Sequence, residues 1–238
     1  MCRPRAVCAP SKCLTFVISK AGLVRGFFVL ACLLAAGLAS AQSLCGNFDA
    51  FTRLRCEEGE AIARSSSKAL RYGGVLFVVS DKKIHPHFDW PGTPATPEMA
   101  YLYQGFEPRI HAHVVRYATA VNLEGGVELI NKKSGQRVSS VGASPMIAPG
   151  GQYLLTVTDE ARYRISEIQI WRAQEDGFRN VAKFYAQGWK PSGGPHKWLD
   201  DNTLQIARQC PEGNTDKAPC PPAQIVRQGV SWKLLKTP

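Results

Sequence analysis

The chain has 238 residues, of which 45% are hydrophobic and 20% are charged, and its formal net charge is +10 at pH 7. Five of the 29 basic residues and none of the 19 acidic residues lie within residues 1–41, which leaves 24 bases and 19 acids in the remainder. A net charge of +5 spread over residues 42–238 is not a basic patch, and it argues against a nucleic-acid partner.

The first 41 residues have the three-part pattern of a secretory signal peptide. A basic, acid-free leader precedes an apolar run at residues 27–38, and Ala39-Ser40-Ala41 provides a small-x-small cleavage site before Gln42. The apolar run is shorter than the roughly 20 residues that a membrane-spanning helix needs. We therefore expect cleavage after residue 41, a periplasmic or secreted protein, and no stable membrane span after cleavage. An uncleaved N-terminal anchor is the alternative.

Cysteine usage agrees with export. Four of the eight cysteines lie in the leader, and the other four form one close pair near each end of the remaining chain. In an oxidising compartment this arrangement predicts two local disulfides, Cys45–Cys56 and Cys210–Cys220. A four-thiolate zinc site is the rival interpretation, but structural zinc sites use tighter cysteine spacing.

One helix and a series of strands follow in chain order. Residues 51–70 carry apolar side chains at roughly helical spacing, although Gly59 weakens the pattern. From residue 73 onward, short apolar or alternating runs between turn residues predict β-strands. These runs are 75–79, 109–117, 127–130, 153–157, 166–171, 179–185, 203–207, 223–227 and 230–235. The mature chain thus divides into an N-terminal helical segment, 42–72, and a β domain, 73–238.

Residues 84–105 interrupt the strand pattern with four prolines and several aromatic residues. The segment is predicted to be a long loop that covers the open end of a sheet, with a short helix starting near residues 96–98.

Two His-x-His pairs are the candidate metal ligands. His111 and His113 lie on the predicted strand 109–117, where the two-residue period places both rings on one side, away from the core. His85 and His87 flank Pro86, which confines them to a loop or an edge strand. Four imidazoles that converge can bind zinc or copper. The alternative is that the pairs are polar positions on separate surfaces.

Residues 145–157 run from a turn through two glycines into an alternating strand, and strands ending in or starting with tryptophan follow at 168–171 and 198–206. This arrangement resembles the WD-repeat-like β-propeller blades of bacterial envelope proteins of unknown function. The resemblance covers about a quarter of the chain. It implies an architecture, in which Trp171, Trp189, Trp198 and Trp232 pack the blades, but no reaction and no ligand.

A weak internal repeat supports the same architecture. Segment 168–172 is echoed at 223–227, and the glycines 150–151 correspond to residues 201–202. A period near 50 residues is typical of propeller blades, but four full blades would use nearly the whole domain. The predicted fold is therefore mainly β, with antiparallel meanders that resemble an incomplete β-propeller and one N-terminal helix. A β-sandwich is the alternative.

Catalytic motifs are missing from the sequence. Gly142-Ala143-Ser144 is followed by Pro145-Met146, which breaks a nucleophile elbow, and neighbouring acids such as Asp200-Asp201 lie in predicted turns. We expect an exported, non-enzymatic binding module with an envelope protein or a glycan as its partner. Catalysis stays open. The alternative function is zinc or copper binding through His85, His87, His111 and His113, and no other cofactor is expected.

The second cysteine pair gives a direct test of this organisation. Cys210 and Cys220 flank a polar loop between two predicted hairpin strands, so a bond between them should stabilise the fold by about 2–3 kcal/mol. Peptide mapping under non-reducing conditions should recover Cys210 linked to Cys220. Recovery of Cys45 linked to either of them would contradict the predicted topology.

Overall fold

Antiparallel β-structure dominates the chain after its first 44 residues. A computed structural model describes residues 45, 48–94, 98–119, 125–142, 144–160, 165–186, 190–191, 196–209 and 221–235, all within one compact unit, Leu44–Pro238. The predicted signal peptide, Trp189 and the predicted Cys210–Cys220 disulfide lie outside these residues. The described elements are α1 (Ala50–Arg64), a 3-10 turn (Pro108–Ile110), β1 (Ala69–Tyr72), β2 (Val75–Val79), β3 (Ile84–Phe88), β4 (Met99–Glu107), β5 (Ala112–Thr119), β6 (Gly126–Asn131), β7 (Arg137–Val141), β8 (Met146–Ile147), β9 (Tyr153–Glu160), β10 (Ile165–Gln174), β11 (Gly177–Tyr185), β12 (Lys190–Pro191), β13 (Lys197–Asp200), β14 (Thr203–Ile206), β15 (Arg208–Gln209), β16 (Ala223–Gln228) and β17 (Ser231–Leu235).

The strands form four sheets. Their orders are β1-β2-β3, β11-β10-β9-β7-β6-β5-β4 with β8 paired to β9, β12-β15, and β13-β14-β16-β17. Neighbouring strands are antiparallel throughout, except where β7 meets β9 at a single parallel pair. The prediction of a mainly β protein built from antiparallel meanders, with one N-terminal helix, is confirmed for the described part of the chain.

The N-terminal helix α1 has a defined start and end. Its N-cap is Asp49, whose Oδ1 accepts hydrogen bonds from the backbone of Phe51 at 3.1 Å and Thr52 at 3.0 Å. The predicted disulfide Cys45–Cys56 is present and ties residue 45 to the helix. The predicted helix over 51–70 was too long, because Ser66 and Ser67 adopt left-handed φ angles of 51° and 67° that end it and lead into β1.

The internal repeat corresponds to two meanders with the same pairing order. Strands β8, β9, β10 and β11 pair in sequence, and so do β13, β14, β16 and β17. The equivalent turns touch, since the Gly150 N–H donates to Asp201 Oδ1 at 2.6 Å. A shared core forms between the meanders; it includes Tyr153, Leu155, Ile168, Ile170, Trp198, Leu204, Ile225 and Trp232. The predicted burial of Trp198 and Trp232 is confirmed.

A second core lies where the sheet β1–β3 and helix α1 pack on strands β4–β6. Its buried members are Ala61, Ala69, Leu76, Val78, Tyr103, Val115 and Ile130. The start of α1 packs elsewhere on the same sheet, where Phe51 and Leu54 cover Ala100, Leu102 and Ala118. Helix α1 and sheet β1–β3 thus both pack on residues of β4 and β5.

A charged network crosses this second core. Glu58 of α1, only 2% exposed, accepts two hydrogen bonds from Arg71 of β1, at 2.6 Å from Nη2 and 2.9 Å from Nε, and one from the Tyr103 backbone of β4 at 3.0 Å. Arg71 also donates to Asp89 at 2.8 Å, and Asp89 accepts the Tyr101 backbone N–H at 2.9 Å. The Glu58 carboxylate therefore fixes helix α1 in position relative to β1 and to β4, which belong to two different sheets.

The network predicts a large loss of stability for Glu58→Gln. The substitution keeps the side-chain shape but removes one of the two carboxylates that bind the Arg71 guanidinium, and only Asp89 remains as its charged partner. The loss of these charge-assisted hydrogen bonds should lower the free energy of unfolding by about 2 kcal/mol. Urea unfolding of the purified variant measures this loss. Glu57→Gln, one residue earlier on the same helix, is the matched control and should change stability by less than about 0.5 kcal/mol. Equal losses in both variants would contradict the assigned role of Glu58.

Candidate functional site

Strand β3 lies at the edge of the three-stranded sheet β1–β3, which we call the small sheet, and it has one buried and one exposed side. Its side chains alternate, so that His85 and His87 are buried while Ile84, Pro86 and Phe88 are exposed. The expectation that this His-Pro-His segment forms a loop or an edge is met by an edge strand. The predicted long loop over 84–105 is wrong, because β3 and β4 occupy most of that segment.

The other histidine pair does not share a strand face. The 3-10 turn Pro108–Ile110 ends at His111, whose φ is 50°, and β5 begins only at Ala112. His111 is exposed, whereas His113 is 2% exposed. The predictions that both rings lie on one side of a strand and away from the core are therefore wrong. The left-handed residue at the end of the turn breaks the two-residue period.

Three of the four histidines lie under the small sheet. His85 Nε2 is 3.3 Å from Ser80 Oγ, His113 Nδ1 is 2.9 Å from the Tyr103 hydroxyl, and the His87 ring packs on Tyr101 with centroids 5.2 Å apart. Within the described ranges, no group of three or more His, Cys, Asp or Glu side chains is arranged to hold a metal ion. The metal-binding alternative thus gains no ligand set from this part of the chain.

Burial keeps these imidazoles neutral near pH 7. Burial, followed by the charges of Arg137 and Arg71, lowers the pKa of His87 to about 4. Burial, with the charges of Lys68 and Lys132, lowers the pKa of His113 to about 4. Burial also raises the pKa of the Tyr103 hydroxyl to about 12, so this group stays protonated and can donate to His113 Nδ1.

Some buried polar atoms lack a partner among the described residues. They are Nε2 of His87, Nε2 of His113 and Oε1 of Glu128. His87 Nε2 lies 3.7 Å from Glu128 Oε1, beyond hydrogen-bond distance, while the other oxygen of Glu128 binds Arg137. With a pKa near 4, the His87 imidazole is a weaker base than a free imidazole.

Lys68 and Lys132, whose charges contribute to the lowered pKa of His113, line an open cleft together with His113. The cleft has a volume of about 520 Å³, and its basic lining residues are Arg64, Lys68 and Lys132. Arg64 lies 3.5 Å from Glu60 and Lys68 lies 3.9 Å from Asp81, so acids of the chain itself partly neutralise the cleft. Two of the cleft's cations, Lys68 and Lys132, add to the effect of burial in lowering the pKa of His113. An incoming anion would have to displace the ion pairs of Arg64 and Lys68.

The opposite side of the small sheet is an exposed apolar surface, which we call the outer face. It is formed by Leu70, Tyr72, Val75, Phe77, Val79, Ile84, Pro86 and Phe88. The pairing register places Phe77 between Leu70 and Pro86, and Val75 between Tyr72 and Phe88. Tyr72 is 81% exposed and Phe88 is 65% exposed. Contiguous apolar surfaces of this kind on a protein normally mark an interaction site.

Sequence reasoning missed the outer face because it assigned residues 69–72 to the helix and 84–88 to the loop. The usable signal was the alternation in Ile84-His85-Pro86-His87-Phe88, which has the period of a strand with one apolar and one polar side. Read that way, the two histidines belong inside and the three apolar residues outside, which is the reverse of the usual order.

Comparison of the chain with known protein families, with curated proteins and with solved structures finds no match. Among the described residues, no helix has both the length and the apolar character needed to cross a membrane.

The buried histidines make stability depend on pH. A pKa near 4 in the folded protein and 6.5 in the unfolded chain means that the unfolded state binds the proton first. Stability is then full above pH 6.5 and falls as the pH drops towards 4, by at most about 1.4 kcal/mol per pH unit for each such histidine. Urea unfolding of His113→Gln between pH 7.5 and pH 4.5 should show a shallower slope than the unsubstituted protein. His111→Gln keeps His113 and should retain the steeper slope; a shared slope in all three proteins would contradict this account.

Proposed function

We propose that this chain is an exported, non-enzymatic interaction module that packs its outer face against an apolar β-sheet face of a partner protein in the cell envelope. The observation that carries the proposal is the outer face itself, where eight neighbouring side chains from three strands form one apolar surface. Full burial of such aliphatic and aromatic side chains contributes roughly 1.5–3 kcal/mol for each large residue.

The kind of partner follows from how the chain packs its own sheets. The meander β8–β11 and the meander of β13, β14, β16 and β17 meet through alternating apolar side chains, with Tyr153 and Ile168 on one side and Leu204 and Ile225 on the other. The small sheet β1–β3 has the same alternation, but Leu70, Tyr72, Ile84, Pro86 and Phe88 on its outer side are exposed. It resembles a blade whose next neighbour is supplied by another protein. This supports an incomplete propeller as the architecture, with a β-sandwich of the same meanders as the alternative.

A protein partner fits the outer face better than a glycan or a lipid surface. Sugar sites place several hydrogen-bonding groups around the ligand, whereas the Tyr72 hydroxyl is the only polar side-chain group among the eight residues. Membrane-surface sites combine apolar residues with lysine or arginine, and the eight residues include neither. Aromatic residues such as Tyr72 and Phe88 are typical of the centres of protein interfaces.

Two features support export of the chain to the envelope. The first 41 residues have the pattern of a cleaved secretory signal. The disulfide Cys45–Cys56 fits an oxidising compartment such as the periplasm. A non-enzymatic role is supported by the buried, neutral state of His87 and His113, whose lowered pKa values make these two imidazoles weak bases.

Site-specific photo-crosslinking in the source cells tests the proposal. Tyr72→benzoylphenylalanine and Phe88→benzoylphenylalanine should each give the same single adduct with one other protein. Tyr185→benzoylphenylalanine is the matched control, because Tyr185 is 55% exposed but lies on β11. It should give no adduct.

A second substitution on the outer face shows whether the adduct depends on that face. Leu70→Ser should abolish the adduct from position 72 while leaving the unfolding midpoint almost unchanged, since Leu70 is exposed. The proposal fails if positions 72 and 88 give no adduct, if Leu70→Ser leaves the adduct intact, or if the adduct is a second copy of this chain.

A further inference from the structure

The internal repeat ends in an arginine in both of its copies, and the two arginines line the same cleft. Arg172 closes the segment 168–172 on β10, and Arg227 closes the segment 223–227 on β16. Both line a single cleft of about 440 Å³ between the two meanders. This cleft shares no residue with the outer face.

The pairing register explains how a third arginine joins them. Arg172 lies directly opposite Tyr153 of β9 and directly opposite Arg179 of β11, so the three side chains form a row across three strands. On the facing meander, Arg227 is paired with Trp232 of β17. Arg179, Tyr153 and Trp232 also line the cleft.

The three guanidinium groups carry an unbalanced charge. In the described part of the chain, the residues that line the cleft include no carboxylate, and none of the three arginines forms an ion pair. Arg172 and Arg179 are like charges directly across a strand pair, an arrangement that destabilises a sheet. The repulsion between the Arg172 and Arg179 guanidinium groups lowers the stability of the unliganded protein. A bound anion would offset this repulsion.

The aromatic residues hold part of the cleft in place. The Arg227 guanidinium lies over the Tyr153 ring, 5.2 Å from its centroid, and Tyr153 packs edge-on against Trp232 with centroids 5.3 Å apart. Arg227 also donates to Asn202 Oδ1 at 3.4 Å. Stacking fixes the plane of the guanidinium before any ligand arrives, so less side-chain entropy is lost on binding.

We propose that Arg172, Arg179 and Arg227 form a binding site for a phosphate monoester. Guanidinium groups bind phosphate oxygens through paired, charge-assisted hydrogen bonds. A phosphate monoester carries a charge of about −1.5 to −2 at pH 7 and three terminal oxygens, which suits three arginines better than a single carboxylate does. The group belongs either to a soluble phosphorylated metabolite or to a phosphorylated lipid.

Titration calorimetry with glycerol 3-phosphate, and flotation with vesicles that contain phosphatidic acid, test the site and distinguish the two sources. Binding of glycerol 3-phosphate without vesicle flotation assigns a soluble ester, and flotation that glycerol 3-phosphate does not compete assigns a lipid. Both results support a phosphate monoester site. Acetate should not compete in either case.

Substitutions identify the residues that bind. Arg172→Met and Arg179→Met should each weaken binding at least about tenfold while leaving the urea midpoint unchanged or raising it, because each relieves the repulsion between like charges. Lys233→Met is the matched control: Lys233 lies next to Trp232 on β17, outside the cleft lining, and its loss removes one positive charge. The control variant should bind like the unsubstituted protein.

Three results would overturn the proposal. The first is the absence of binding to both probes. The second is equal weakening in Lys233→Met and Arg179→Met, which would indicate a general charge effect. The third is a large loss of stability in Arg172→Met, which would assign the arginines a structural role. Because the outer face and the cleft use different residues, none of these results bears on the photo-crosslinking experiment.

Discussion

The buried carboxylate of Glu58 is the constraint on which the N-terminal half of the molecule depends. It joins helix α1 to Arg71 of the small sheet and to the backbone of Tyr103 in β4 of the eight-stranded sheet. A buried ion pair contributes little net stability, since desolvation offsets most of its attraction, but a displaced partner leaves a buried charge unpaired. The network therefore specifies one position for the helix and the small sheet. In that position their inner sides close over the histidines, and the outer face is left open.

Much of the β-structure was predictable because the chain repeats its own pattern. The apolar run at 75–79 became β2, and the echo between 168–172 and 223–227 became β10 and β16, which hold the same place in two meanders. The helix boundary was not predictable from propensity. Ser66 and Ser67 adopt left-handed backbone angles. In a sequence, glycine or asparagine indicates such a conformation at the end of a helix, whereas serine does not. Proline at position 86 suggested a loop, although an edge strand accepts it.

The candidate sites were less predictable, because they depend on contacts between distant segments. The sequence marked His85, His87, His111 and His113 as chemically interesting, but burial turned three of them into neutral core positions and a 3-10 turn moved the fourth to the surface. The arginine cleft was also only partly predictable from the sequence. Arg172 and Arg227 were visible as repeat positions, but only the strand register places Arg179 beside them. Charge patterns along a chain do not reveal which side chains face one another across strands.

The proline in the middle of β3 has a consequence for solubility in a crowded compartment. An exposed edge strand with an apolar face can pair with strands of identical chains, and repeated pairing leads to fibrils. Pro86 has no backbone hydrogen to offer to an added strand, so growth in the plane of the sheet is interrupted at the centre of its edge. Stacking on the flat side is unaffected by that missing donor. Pro86 thus limits strand addition along β3 while the outer face stays exposed.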